Sequence, residues 1–327
     1  MLQSPRKRLN IGVQLLGILI LGLAACQAEH PLVESPPPPP PSPVVTQSPQ
    51  VSGEPIQFGI LSIDSAVSVN ERYRPLLNYL EAEIGRPFEL VPVTQASQFT
   101  EVEAGNLDFT TNNPLAAVQI QRLYDTEFLV THSYPQTGTQ FSGLIVVKQN
   151  SDIQTVEDLA GKKVACVNFE TAAAGCIFQI NYLLEKGIDP FQDFAEFTEN
   201  KSQDNIVLAV LNGTIDGGFI RTGQLEKMVN QGLLKNLDEV RILNPVKDDF
   251  YYTHTTPLYP EWPIAATSNT DPELVAAVQE ALLNIPPDHP ALKAARIEGF
   301  VSAVDYEPLD QLIENLKLKS WDASSDD

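Results

Sequence analysis

Basic residues are scarce in this chain: 21 Lys and Arg stand against 42 Asp and Glu, a formal charge of −21 over 327 residues. That balance argues against nucleic acid as a partner, because contacts to a phosphate backbone need clustered cations. Histidine is as thin, with four residues at 30, 132, 254 and 289. No HExxH, GxSxG, P-loop or CxxC pattern occurs, so neither a zinc hydrolase nor a serine hydrolase has its parts, and no metal or cofactor is expected. Cysteine occurs three times, at 26, 166 and 176. One extended apolar run is present, Ile11 to Ala25, and its 15 residues are too short to span a bilayer comfortably.

That run follows Arg6, Lys7 and Arg8, which is the layout of an export signal. It ends Leu23-Ala24-Ala25-Cys26, which resembles the lipobox of bacterial lipoproteins. The resemblance implies that Cys26 is acylated, by a palmitate-type chain, and becomes the mature N-terminus. An ordinary signal with an incidental cysteine is the alternative. Removing residues 1–25 leaves 18 basic against 42 acidic residues, a formal −24. From Gln27 to about Pro55 the chain is rich in Pro, Ser and Gln, with an unbroken proline run at 36–41. Such a segment has too few apolar groups to form a core. It reads as a semi-stiff stalk, or as a linker without a spacing role.

Beyond residue 56 apolar strands and amphipathic helices alternate. Ile56 to Ile63 reads as a strand and Asn70 to Ile84 as a helix with Tyr73, Leu76, Leu77, Leu80 and Ile84 on one face. Phe88 to Val93 and Leu107 to Thr111 read as strands, with a short helix at 98–104 between them. Asn112 or Asn113 then caps a helix that has Pro114 at its first position. A second cycle follows the short strands at 127–131 and 141–147: a strand at 164–167, helices at 176–185 and 206–211, a strand at 215–220 and a helix at 224–231. Strands separated by helices argue for parallel sheets covered on both faces, and the length favours two lobes.

The segments "FGILS", "GNLDFTTNNPLA", "FSGLIVVKQNSDIQTVEDLAGKKVA", "LLEKGIDPFQDF", "VLAVLNGTIDGG" and "YPEWPIAA" together resemble the type II periplasmic binding proteins of the phosphate, phosphite and phosphonate group. The last third, with "IRTGQLEKM" and "HTTPLYPEWPIAA", is more similar to the sensing domains of tetrathionate-type sensor kinases. The resemblance implies an α/β, two-lobed type II periplasmic binding fold of mixed, mostly parallel sheets flanked by helices, with two crossings near 138–148 and 250–266. It divides the chain into a signal at 1–25, a stalk at 26–55, a first lobe at 56–142 and 255–300, a second lobe at 143–254, a C-terminal helical segment at 301–320 and a tail at 321–327. It further implies a monomer that is exported and lipid-anchored, captures a small anionic solute and serves an ABC permease or a sensor kinase.

Within that frame Thr171, Ala172, Ala173 and Ala174 form the anion-facing start of a second-lobe helix, where unpaired N–H groups and the helix dipole attract negative charge. Asn112 and Asn113 begin the facing first-lobe helix. Phosphonate binders carry a Ser/Thr run where this chain has three alanines, a His where Gln203 stands, and tyrosines at positions 95 and 112. The missing contacts, each worth about 1 to 3 kcal/mol, count against a phosphonate pocket. Arg221 offers a guanidinium in exchange, or it makes a surface ion pair with Asp216 or Glu226. Thr222 is a further contact or the cap of the next helix, and His254 a donor or a structural residue. Asp204 is an N-cap or a contact to a cationic group, and Arg72 decorates an exposed helix face. Cys166 and Cys176 permit a disulfide; two buried thiols, or a reactive Cys176, are the alternatives. A cysteine-dependent enzyme pairing Cys176 with His254 is the competing class.

Overall fold

In extended backbone at Ser65 the hydroxyl accepts the Ser68 N–H at 3.1 Å, and this cap starts the first helix at Ala66–Ile84. The helix therefore begins four residues earlier than hydrophobic periodicity alone suggests. Val69, Tyr73, Leu76, Leu77 and Leu80 form its buried stripe, and Gly85 ends it at φ 75°, a left-handed conformation in which glycine bears no Cβ penalty. The computed structural model to which this helix belongs describes residues 53–63, 65–94 and 96–316. The export signal, Cys26, most of the stalk, Gln95, the end of the C-terminal segment and the tail lie outside the described residues.

The chain builds two principal sheets. In the first the strands lie in the order Gly299–Ser302, Glu127–Ser133, Pro263–Ala266, Phe109–Thr111, Ile56–Leu61 and Phe88–Val93. The second runs Val240–Ile242, Gly143–Lys148, Gly217–Arg221, Lys163–Cys166 and Glu196–Glu199. An antiparallel ribbon of Gln140–Phe141 with Tyr259–Pro260 joins the two passages between the sheets. The fold is thus two-lobed, with mixed sheets flanked by helices.

Parallel pairing is confined to strands linked by helices within one lobe, as in Ile56–Leu61 with its two neighbours and Lys163–Cys166 with its own. The strands that bring the chain across, Gly143–Lys148 and Pro263–Ala266, pair antiparallel on both sides. Expecting mostly parallel sheets therefore understated the antiparallel share, because a strand arriving from the other lobe enters its sheet from the opposite end.

One edge of the seam between the lobes is apolar. Leu115 and Val118 from the first-lobe helix Pro114–Tyr124 share an apolar cluster with Ala172, Ala173, Ala174 and Phe178 from the second lobe. Phe178 stacks on Tyr259 of the ribbon with ring centroids 3.9 Å apart. The helix Glu307–Leu316 closes this edge with Leu309, Leu312 and Ile313, and Arg122 reaches Asp310 and Glu314 at 3.5 Å each. The segment after residue 300 is therefore part strand, completing the first sheet, and part strap across both lobes. Among the described residues no helix is long and apolar enough to cross a membrane.

Candidate functional site

Strand Ile56–Leu61 ends at the seam, and Leu61, Ser62 and Ile63 continue from it into the wall of a cavity of about 210 Å³ between the lobes. The first lobe adds Arg72 from the opening turns of its helix, Asn113, Trp262 and Arg296. The second lobe adds Ala172 to Gly175, Lys201 to Asp204, Arg221, Gln224 and Lys227. Among the described residues of the wall, five side chains are cationic (Arg72, Lys201, Arg221, Lys227 and Arg296) and only Asp204 is anionic. A strongly acidic chain thus carries a locally positive cavity, which holds because charges more than a Debye length of about 8 Å away are screened.

Asp204 is itself engaged. It takes the Gln224 amide on one oxygen and faces Lys227 Nζ at 3.6 Å on the other. Arg221 closes the strand Gly217–Arg221, and its N–H donates to Gln203 Oε1 at 2.8 Å. Its Nη1 donates to the Thr222 carbonyl at 3.2 Å, and its charge also acts on the Glu226 carboxylate. Arg72 is half-buried rather than decorating an exposed face. Its Nε donates to the Ala295 carbonyl at 2.8 Å, which draws the side chain toward the segment carrying Arg296.

The small-residue loop is held from behind. Gln179, fully buried, directs Nε2 at the carbonyls of Ala174 (2.7 Å), Ile220 (2.9 Å) and Leu144 (3.1 Å), so one amide ties the loop to the arginine strand and to the crossing strand. A Cβ at Gly175 would lie 3.1 Å from both Gln203 Nε2 and Val167 Cγ2, so glycine permits this close approach. Cys166 and Cys176 are joined by a disulfide that links the strand Lys163–Cys166 to the turn Ala173–Ile177, which leads into the helix Phe178–Glu185. Cys176 is fully buried and its sulfur is committed to the bond, so it presents no thiolate to a substrate.

Asn113 does two things at once. Its Oδ1 caps the helix Pro114–Tyr124 by accepting the Ala116 N–H at 3.1 Å, and its Nδ2 donates across the seam to the Thr171 carbonyl at 3.0 Å. Ala172, Ala173, Ala174, Gln203 and Arg221 are likewise brought to the cavity wall. Four other expected residues stand away from it. Asn112 donates to Thr110 Oγ1 at 3.0 Å. Thr171 turns its hydroxyl to Asn168 Oδ1 at 2.8 Å. Thr222, rather than capping the next helix, accepts the Ser142 N–H at 3.1 Å; that cap is Gly223. His254 faces Thr256 O at 2.7 Å and Asp248 Oδ2 at 3.0 Å, so its ring belongs to a polar seam along the return crossing rather than to the cavity.

Sequence reasoning missed Lys201, Lys227, Trp262 and Arg296, and misplaced Arg72. A signal was available for Lys201, just beyond the carboxyl end of Glu196–Glu199, and for Lys227, near the start of its helix, where ligands gather in open α/β sheets, but Arg296 ends the helix Pro290–Ala295 and carried none. It also missed Glu261, which precedes Trp262 in the chain and is 8% exposed. Burial pushes its carboxyl up to about 7, against the opposing pull of Arg221 and Arg72. Among the described residues no cluster of His, Cys, Asp or Glu could hold a metal ion.

Comparison with known proteins agrees with this architecture. The family model for the ABC transporter, phosphonate, periplasmic substrate-binding protein matches residues 58–307. The tetrathionate sensor histidine kinase TtrS of Salmonella typhimurium is 25% identical over 274 residues, covering 80% of this chain and 46% of the kinase. The chain thus spans about half the length of that relative. Among solved structures, PhnD1 from Prochlorococcus marinus in complex with methylphosphonate superposes with a TM-score of 0.67 at 14% identity, covering 83% of this chain and 99% of that one. XAC2383 from Xanthomonas citri bound to ATP gives 0.65 at 20% identity, covering 81% and 98%.

Proposed function

Since the chain belongs to the periplasmic substrate-binding proteins of phosphonate ABC transporters, we propose that it is an extracytoplasmic receptor that captures a small oxyanion of phosphorus or sulfur between its lobes. The observation that carries the reading is the cavity itself: cationic side chains from both lobes converge on it beside the small-residue loop, in a chain that is acidic overall. Guanidinium groups fork onto oxyanions, and the backbone at Ala172–Gly175 is open to close approach because its side chains are small or absent. The role is binding rather than catalysis.

Methylphosphonate in PhnD1 and tetrathionate in the name of the kinase relative both fall within this ligand class. Delivery to an ABC permease is the primary reading. The kinase similarity supports a second, in which the closed form is presented to a membrane histidine kinase. In either case the ligand acts by favouring the closed state. Acylation at Cys26 would hold the receptor at the membrane through its stalk, with no further subunit required.

Thermal-shift screening of the purified protein against phosphate, phosphite, phosphonates, sulfate, thiosulfate and tetrathionate tests the reading. A bound anion at 100 times its Kd should add about 2.7 kcal/mol of stability. A panel without any stabilising anion rejects it.

A further inference from the structure

Glu261 immediately follows the Tyr259–Pro260 ribbon strand and immediately precedes Trp262 of the cavity wall. Its backbone is fixed on both sides. The N–H donates to the Thr139 carbonyl at 2.8 Å, and the carbonyl accepts the Tyr306 hydroxyl at 2.8 Å. The residue is buried at 8% exposure, and its Oε2 accepts the Trp262 N–H at 3.3 Å.

Two cations act on this carboxylate, Arg221 from the second lobe and Arg72 from the first. The other titratable groups around it are Tyr73, Tyr134 and Tyr306, with His132 bonded to the Trp262 carbonyl at 2.7 Å. The same two arginines line the cavity. The buried Glu261 carboxylate and an anion held in the cavity would draw on the same two cations, and each weakens the attraction felt by the other.

We propose that Glu261 is the internal counter-ion of the cavity, and that capture of an anion is coupled to uptake of a proton by the Glu261 carboxylate. The proton adds to a carboxylate oxygen and comes from solvent; no bond is broken. This inference rests on the reading of the cavity as an anion site. Linkage makes the coupling reciprocal: if the anion favours the protonated carboxyl, protonation favours the anion. Burial has already pushed this carboxyl up to about 7, so the exchange falls in the range where a modest change of pH alters occupancy.

The test is calorimetric titration of the purified protein with sulfate, thiosulfate and tetrathionate, whose charges are constant from mildly acidic to mildly alkaline solution. Titrations are run in two buffers of different ionisation enthalpy across that range. Binding should take up a fraction of a proton that grows toward one per anion above neutrality. Affinity should fall by up to about tenfold per pH unit there. Glu261→Gln should bind without proton uptake, with a flat pH profile, and more tightly than wild type in alkaline solution. The wild-type measurement needs no variant, so a poorly folded Glu261→Gln leaves the test intact. An anion that binds without proton uptake overturns the proposal alone. A protein that binds none of the three overturns this proposal, and rejection of the wider thermal-shift panel is what overturns the anion reading as well.

Discussion

Replacing Glu261 by glutamine should flatten one component of the pH dependence of folding. In the unfolded chain the carboxyl titrates near its ordinary 4.5, whereas in the folded protein burial holds the proton to about 7. Between those limits the folded state binds more protons than the unfolded one, so stability falls as pH rises, and above about 7 the loss is complete. Two and a half units at about 1.36 kcal/mol each give a loss of roughly 3 kcal/mol. The side chain is 8% exposed, so little of this is relieved by solvent.

The assay is urea unfolding of wild type and Glu261→Gln at intervals from pH 4 to 8, compared as a difference at each pH. Contributions from the other carboxylates are common to both proteins and cancel. Leaving Arg72 and Arg221 without their counter-ion shifts the variant by an amount that does not vary with pH in this range, since both stay charged. Relative to wild type, the variant should therefore gain roughly 3 kcal/mol between pH 4.5 and 7. Parallel stability curves would refute the assignment of a raised carboxyl at this position.

Arg221→Ala should weaken the captured anion by about ten- to a hundredfold, or 1 to 3 kcal/mol, because it removes one of the guanidinium groups of the cavity wall. Calorimetric affinity of the two proteins checks it, and equal affinity removes Arg221 from the site. Replacing Cys166 and Cys176 together by alanine should cost roughly 2 to 3 kcal/mol, because the bond closes a short loop in the unfolded chain. Denaturant midpoints measure this, and an unchanged midpoint would show that the bond does not constrain folding.

Much of the fold was legible because its signals are local. The apolar stripe of Ala66–Ile84, the Asn113-Pro114 start of the next helix and the Gly-Arg-Pro break at 85–87 each rest on neighbouring residues. The strand Glu196–Glu199 escaped because it is an edge strand with two exposed glutamates, and so carries no apolar run to read. The helix start at residue 66 escaped because a serine hydroxyl set it, one turn before the hydrophobic stripe begins. Within the site, the small-residue loop, Gln203 and Arg221 were marked by residue type and by position at the ends of predicted elements.

What the sequence alone determined is the alternation of strand and helix, the acidic surface, the poverty of catalytic parts and the small side chains at 172–175. What only the tertiary structure decided is which charges meet. Arg72 and Arg296 are separated by more than two hundred residues and reach one wall because the first helix packs against the helix Pro290–Ala295. Glu261 is an unremarkable acid in a linear chain and becomes the counter-ion of two arginines only once both crossings are in place. Local backbone preference is written in adjacent residues, but an electrostatic potential is a sum over groups brought together by folding, and no stretch of sequence contains it.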